Sequence, residues 1–216
     1  MIGALLPAGA VWAESTGEDD AEARLLPPER ALTEHMVPGR LREFTAVRAC
    51  ARRALAALGE PPVPILPGPR GEPQWPAGLV GSMTHCTGYR AAVLARRTAL
   101  PTLGIDAEPR APLGPGLLEA VSLPAERTRL ATLHRRDPEL PWDRLLFSAK
   151  ESVFKAWYPL TRRNLGFEEA DLTLSPDGSW HAYLRVPATS GAPRSFAGRW
   201  AASPTLLLTA TAEPGF

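Results

Sequence analysis

The chain has 216 residues, 24 basic against 23 acidic side chains and 44% hydrophobic content, enough to bury one large core or two small ones. Its formal net charge of +1 divides as 11 basic and 10 acidic residues before residue 102, then 13 and 13, which gives no general electrostatic case for nucleic acid. Cys50 and Cys86 are too few for a disulfide framework and lack metal-ligand spacing with the four histidines, so a reduced, cytoplasmic setting is expected; no apolar run reaches the ~18 residues of a membrane span.

The first 13 residues are apolar but have no basic n-region, and Pro7 and Gly9 interrupt them. An opening strand over 9–15 is predicted there rather than a signal peptide. The acidic stretch 14–22 reads as a solvated loop. A helix over 41–58 ends at Gly59, with Phe44, Ala51, Leu55 and Leu58 on its core side. Prolines and glycines through 60–76 rule out regular helix. Strands follow at 80–85 and 89–96, joined by a tight turn containing Gly88, and another at 103–107. Helices are expected over 116–121, 124–134 and 142–157. Pro141 suits the start of the last, and Pro159 is expected to end it near Trp157 or Tyr158. From Phe167 short strands alternate with turns at Ser175-Pro-Asp-Gly178 and Gly191-Ala-Pro193. Helix plus antiparallel strands thus occurs twice. An α+β fold results, with two pseudo-symmetric halves, 1–102 and 103–216, inferred from element order because no identity between the halves is visible.

Lys150 and Lys155 are the only lysines, against 22 arginines, and both lie in Phe147-Ser-Ala-Lys150-Glu151-Ser-Val-Phe154-Lys155-Ala-Trp157. An ammonium is a compact point charge suited to one phosphoryl oxygen, where guanidinium is a flat fork. The plainer alternative is an ordinary Glu-to-Lys pair on a solvated face. On the helical wheel Leu146, Ala149, Val153, Ala156 and Trp157 share one face, and Glu151 with Lys155 points to nearly the opposite side. Phe147 and Phe154 form a second apolar strip beside Glu151, which places the helix in a cleft.

Asp106 and Glu108, two apart on a strand, project from one face. They are either exposed edge-strand acids or, with Glu151 approaching from its helix, a site for a hard cation such as Mg²⁺. Arg48 falls on the apolar side of its helix with Arg52 one turn on. An anion between them would relieve their repulsion, and pairing with acids elsewhere in the chain would serve equally. Arg40 and Arg42 could extend that patch. At the end of Gly81-Ser-Met-Thr84-His85, Thr84 and His85 could reach a phosphate, although a lone histidine at a strand end is more often structural. Gly68-Pro69-Arg70-Gly71 is a basic loop through which backbone could approach a ligand. It lacks the P-loop pattern.

Taken in order, these residues resemble the 4'-phosphopantetheinyl transferases of the surfactin-type, two-lobed class, in the branch associated with siderophore and mycobacterial-type lipid synthesis that includes enterobactin synthase component D. The similarity runs from about residue 40 to 167. It covers Glu43-Phe44, Val47-Arg48-Ala-Cys-Ala-Arg52, Pro64-Ile-Leu, Gly71-Glu-Pro-Gln-Trp-Pro76, Gly81-Ser-Met-Thr-His85, Gly88-Tyr-Arg-Ala-Ala and Gly104-Ile-Asp106-Ala-Glu108-Pro109. The lysine-bearing helix completes it.

The resemblance implies transfer of 4'-phosphopantetheine from coenzyme A to a serine of an apo acyl or peptidyl carrier protein, releasing adenosine 3',5'-bisphosphate. It implies Mg²⁺, with Mn²⁺ as a substitute, held by Asp106, Glu108 and Glu151 and assisted by the Ala107 backbone. It also implies phosphate contacts from Thr84 and His85, and nucleotide contacts from Arg40, Arg48 and the loop Pro67, Gly68, Pro69 and Arg70. Lys150 and Lys155 would flank the transferring group, and Glu151 would steer the serine proton. A monomer is expected, with no nucleic-acid or membrane partner. Val47 stands where many relatives have glycine, and Pro67 where some have a basic residue. A metal-dependent phosphohydrolase or nuclease, or a catalytically silent carrier-binding protein, are the other classes such residues could serve.

Overall fold

In the computed structural model, which describes residues 1–17, 24–187 and 192–213, two antiparallel sheets each carry one long helix. The first sheet, in the order β1-β3-β2, is built from β1 (Ala10–Ser15), β2 (Leu79–Cys86) and β3 (Tyr89–Arg96). Ahead of β2 come a short α1 (Pro27–Arg30) and the long α2 (Pro38–Ala57). The second sheet has the order β4-β8-β7-β6-β5: β4 (Thr102–Pro109), β5 (Ala170–Leu174), β6 (Ser179–Leu184), β7 (Ser195–Ala202) and β8 (Leu206–Glu213). Between β4 and β5 lie α3 (Leu117–Val121), α4 (Pro124–Arg136) and α5 (Trp142–Thr161).

Each long helix buries one apolar stripe. Cys50, Ala51, Ala54 and Leu55 of α2 pack on Ala92 and Leu94 of β3, and Leu145, Leu146, Ala149, Val153 and Trp157 of α5 pack toward Leu172, Ala182, Phe196 and Leu207. A third cluster joins the sheets, with Tyr89 and Val93 from the first and Ile105 and Leu208 from the second. The sheets meet where β2 runs beside β4 without a ladder between them. There the Ile105 N–H donates to Ser82 Oγ at 3.1 Å and the Ala107 N–H to Thr84 Oγ1 at 3.0 Å. Two hydroxyls thus satisfy strand donors that would otherwise be buried unpaired.

Gly104 lets α5 lie directly on β4, because a Cβ at that position would meet Ser152 O at 2.0 Å. Thr102 Oγ1 donates to Ala156 O at 2.6 Å beside it. The sequence expectation that Pro159 ends this helix is corrected: α5 continues to Thr161. A proline in the last turn removes only one backbone donor, and the Arg162 N–H still reaches Tyr158 O at 2.8 Å. Helix α2 starts at Pro38, earlier than expected, and Glu108 is inside β4 rather than past its end. Glu14 is a strand residue, not part of a solvated loop; it accepts from the Tyr89 hydroxyl at 2.6 Å and the Ile2 N–H at 2.9 Å. The rest of that acidic stretch, from residue 18 on, and Gly191 of the Gly-Ala-Pro turn lie outside the described residues.

The two halves share a device that element order alone does not reveal. Leu26-Pro-Pro-Glu29-Arg30 and Leu123-Pro-Ala-Glu126-Arg127 each open a helix, α1 and α4. In each the buried glutamate accepts its own helix-start N–H, from Leu26 at 2.9 Å and Leu123 at 2.7 Å. Each also accepts a distant backbone N–H, from Ile65 at 2.9 Å and Leu172 at 2.7 Å. Each pairs with a cation of the neighbouring long helix, Arg52 at 2.9 Å and Lys150 at 2.8 Å.

Candidate active site

A cleft of about 450 Å³ opens between the start of α2, the 67–73 loop, β2 and the outward face of α5. Arg40, Arg48, Pro67, Arg70, His85, Glu151 and Lys155 line it, with Phe44, Phe154 and Tyr158 as apolar walls. The 3.6-residue period puts Glu151, Phe154, Lys155 and Tyr158 on this face while Val153 and Trp157 enter the core. Glu151 and Phe154 also line an adjoining hollow of about 310 Å³, closed by Asn164, Leu165 and Phe167.

Beneath the cleft floor, Lys155 Nζ donates to Asp106 Oδ1 at 2.6 Å and to Ile105 O at 3.2 Å. The Asp106 side chain is 7% exposed, that of Lys155 27%, so the ammonium faces both the strand and the cleft. Asp106 Oδ2 is buried and has no protein donor. Glu108 accepts from Arg144 at 2.8 Å, and Arg144 also donates to Pro112 O at 2.9 Å. Burial, then repulsion from Asp106, pushes the Glu108 carboxyl above the ordinary carboxylate value. Burial likewise raises Glu151; Lys155 opposes this, and Asp106 and Glu108 add to it. Asp106 thus acts on both other acids, and Glu108 acts on Glu151. A divalent cation fits the donor set chemically: it would take the orphaned Asp106 oxygen and relieve the repulsion among the carboxylates. Among the described residues no three His, Cys, Asp or Glu side chains come together closely enough to hold a metal ion. Asp106 and Glu108 are outside the cleft lining that includes Glu151, so the protein side chains alone do not assemble the three-acid site expected from the sequence.

Arg40 donates to His85 Nε2 at 2.6 Å, and Glu43 Oε2 lies 3.5 Å from both side chains. Burial, then the Arg40 charge, lowers the His85 pKa below its usual 6.5, consistent with a neutral ring accepting from Arg40. Arg48 is buried, donates to Ile65 O at 3.0 Å and stacks on Phe44 at 3.2 Å from the ring centroid. Burial brings it down to about 10, so it stays charged at neutral pH. The loop is ordered: Pro67 and Pro73 form a β-bridge, and the Gly68 N–H donates to Glu72 O at 2.7 Å. Arg70 and Pro67 face the cleft, whereas Gly68 and Pro69 form the turn outside its lining.

Several sequence expectations change here. Lys150 does not flank the cleft centre. Its ammonium is buried between Glu126 Oε2 at 2.8 Å and Phe167 O at 2.7 Å, because the residue before Glu151 lies about 100° around the helix from it. Thr84 does not reach a phosphate position either. Its hydroxyl is turned inward, donating to Asp106 Oδ1 at 3.2 Å while accepting from Ala107. Ala107 is buried in the β4–β8 ladder opposite Leu208 and is not part of the cleft lining. No anion is needed between Arg48 and Arg52, since Glu29 Oε2 lies 2.9 Å from Arg52 and its Oε1 3.8 Å from Arg48. Cys86 is near Asp106 and Glu108; burial, then those charges, raises its thiol to about 12, which leaves it unreactive. Residues that sequence reasoning missed are Glu29, Glu72, Glu126 and Arg144. The repeated Leu-Pro-x-Glu was the available signal for two of them.

A cleft lined by residues from both sheets' neighbourhoods, with Glu151 and Lys155 of one long helix on its wall and Asp106 beneath Lys155, suits the handling of phosphate-linked groups. The chain matches the model of the 4'-phosphopantetheinyl transferase N-terminal domain over residues 28–95 and that of the 4'-phosphopantetheinyl transferase superfamily over residues 102–203. It belongs to the 4'-phosphopantetheinyl transferase superfamily. Among its relatives, it is 55% identical to 4'-phosphopantetheinyl transferase Svp of Streptomyces mobaraensis over 98% of this chain and 89% of that protein. With 4'-phosphopantetheinyl transferase Npt of Nocardia iowensis it shares 48% identity over 98% and 99% of the two chains. With 4'-phosphopantetheinyl transferase PptT of Mycobacterium tuberculosis it shares 50% over 86% and 84%.

Proposed function

We propose that this chain transfers 4'-phosphopantetheine from coenzyme A to a serine hydroxyl of an apo acyl or peptidyl carrier protein. The reading rests above all on Lys155, whose ammonium joins the buried Asp106 to a cleft wall it shares with the raised carboxyl of Glu151. The serine oxygen bonds to the pantetheine-side phosphorus, and the bridging anhydride oxygen leaves with adenosine 3',5'-bisphosphate. Such a displacement needs positioning and positive charge more than covalent help.

Glu151, held above the ordinary carboxylate value, accepts the serine proton directly or through water. Lys155 donates to the reacting phosphate from its station over Asp106. Arg40, Arg48, His85 and Arg70 receive the nucleotide phosphates along the α2 side. The apolar hollow beside Phe154 and Phe167 suits the pantetheine arm. Asp106 and Glu108 would hold Mg²⁺, or Mn²⁺ in its place, with Glu151 a ligand only while it is not accepting the serine proton, since a carboxylate bound to the ion is a poor base. That ion would supply Lewis-acid neutralisation of the diphosphate. In this scheme Thr84 orients Asp106, and Lys150 orients the 166–167 segment. Each half, 1–102 and 103–216, supplies one wall, so a monomer in the cytoplasm is sufficient.

The test is incubation of the purified chain with apo carriers, coenzyme A and Mg²⁺, read by intact mass. A phosphopantetheine adduct on the carrier, lost with Asp106→Ala in a variant that still folds, is the expected result. Coenzyme A cleavage without carrier modification would favour a phosphohydrolase, and carrier binding without transfer would favour a silent binder.

A further inference from the structure

The two walls of the cleft are tied together at its outer end by one ion pair that the proposed chemistry does not use. Arg162, just past the end of α5, places a guanidinium nitrogen 2.6 Å from Glu72 Oε1. The other carboxylate oxygen of Glu72 accepts the Arg70 N–H at 3.0 Å. Glu72 is only 8% exposed at its side chain, although Arg162 is 65% exposed. The carboxylate lies over Gly68, where a Cβ would meet Oε1 at 2.2 Å. One glutamate side chain therefore fixes the turn that carries Arg70 and, through Arg162, joins it to the helix that carries Glu151 and Lys155.

Arg162 is also the one non-glycine residue with positive φ among the described residues, at 56°. Helices ordinarily end with glycine or asparagine in this conformation, since a side chain there is strained. An arginine at this position accepts backbone strain and gains the contact with Glu72. Behind the pair lies a separate hollow of about 350 Å³ that Glu72, Pro159 and Arg162 line together, while Glu72 and Pro159 also line the main cleft. The pair thus stands in the partition between the two spaces.

We propose that Glu72 and Arg162 form a latch that presets the distance between the Arg70 turn and α5, and so sets affinity for the nucleotide end of coenzyme A. Both are positioning residues. The proposal rests on the coenzyme A reading above and adds to it the control of cleft width. Neither side chain contacts the transferring group in that scheme, so the latch acts on binding and leaves the chemical step alone.

Arg162→Gly separates the latch from stability, because glycine relieves the strained backbone while removing the guanidinium. The expected result is a melting temperature equal to or above that of the wild type, a KM for coenzyme A raised about fivefold, and kcat within about twofold. Glu72→Ala should raise KM similarly, and adding Arg162→Gly to it should raise KM no further. An unchanged KM in Arg162→Gly would overturn the latch. So would a full additional effect of Arg162→Gly in the Glu72→Ala background, which would mean the two act separately. Wild-type transfer measured alongside keeps the questions apart, since its absence would sink the functional reading itself.

Discussion

Replacing each lysine of α5 by methionine tests how they divide between structure and chemistry. Lys150 and Glu126 are 2% and 0% exposed at their side chains, and removing one partner of such a buried pair costs about 3–5 kcal/mol. Glu126 keeps the N–H donors of Leu123 and Leu172, which puts Lys150→Met at the low end, about 3 kcal/mol. For a chain of this size that lowers the melting temperature by about 6–12 °C. Neutralising the partner as well, in Lys150→Met with Glu126→Gln, removes the stranded charge and should recover part of the loss. Lys155 is 27% exposed, but its partner Asp106 is only 7% exposed and keeps just the Thr84 hydroxyl as donor among the described residues, so Lys155→Met also strands a buried carboxylate and should cost about 3 kcal/mol as well. Activity should separate the two. Transfer assayed well below both melting points should fall less than about threefold in Lys150→Met and about 10²–10³-fold in Lys155→Met, the range for losing a donor to developing charge. A Lys150→Met protein that melts like the wild type yet has lost transfer would refute this division and return Lys150 to the phosphate.

Three further perturbations probe the frame around the site. Gly104→Ala drives a methyl to within 2.0 Å of Ser152 O; it should destabilise by about 3 kcal/mol or more and, by displacing α5, lower kcat, and an unchanged melting temperature would contradict the close helix–strand contact. Glu29→Gln should cost about 3 kcal/mol by thermal unfolding, since the buried carboxylate serves Arg52, Arg48 and two backbone donors. His85 has a native pKa below its usual 6.5, so as pH falls through about 6.5 the unfolded chain takes up the proton first and stability drops until the lower native value is passed; above that window the group contributes no slope. Urea unfolding of His85→Asn should therefore lose stability less steeply than the wild type between about pH 7 and 5, and identical slopes would contradict the lowered value.

The long helices and β1 to β4 were legible because their periods of 3.6 and 2 carry through enough residues to be read. Pro159 misled because its effect depends on how many turns remain after it, which local sequence does not state. The motifs around Asp106, Glu151 and Lys155 were readable by resemblance, but the orientation of Thr84 and Lys150 was not. Adjacent residues on a helix differ by about 100° and on a strand by 180°, so neighbouring motif positions cannot all face one ligand. Which face a cation takes is decided by an acid far along the chain. Lys150 finds Glu126 from 24 residues away and Arg52 finds Glu29 from 23. Nothing within a single helix wheel signals either pairing.

That pairing also bears on where the two long helices present their outward faces. In each half the buried glutamate draws a cation of the long helix inward and pins the segment leading to one side of the cleft: Ile65 just before the Pro67 turn, Leu172 just after the Phe167 wall. The second segment is fastened by Lys150 as well, through Phe167 O. Pinning the walls leaves the outward face of α5 free for Glu151 and Lys155, and the outward face of α2 free for Arg40. A carboxylate that accepts from two backbone donors and one cation has most of its acceptor sites taken, so these glutamates are poorly placed to serve as metal ligands or proton acceptors despite being buried and acidic. In the proposed scheme the proton goes instead to Glu151, which lines the cleft and whose carboxyl is raised by burial against the opposing charge of Lys155, with Asp106 and Glu108 adding to the rise.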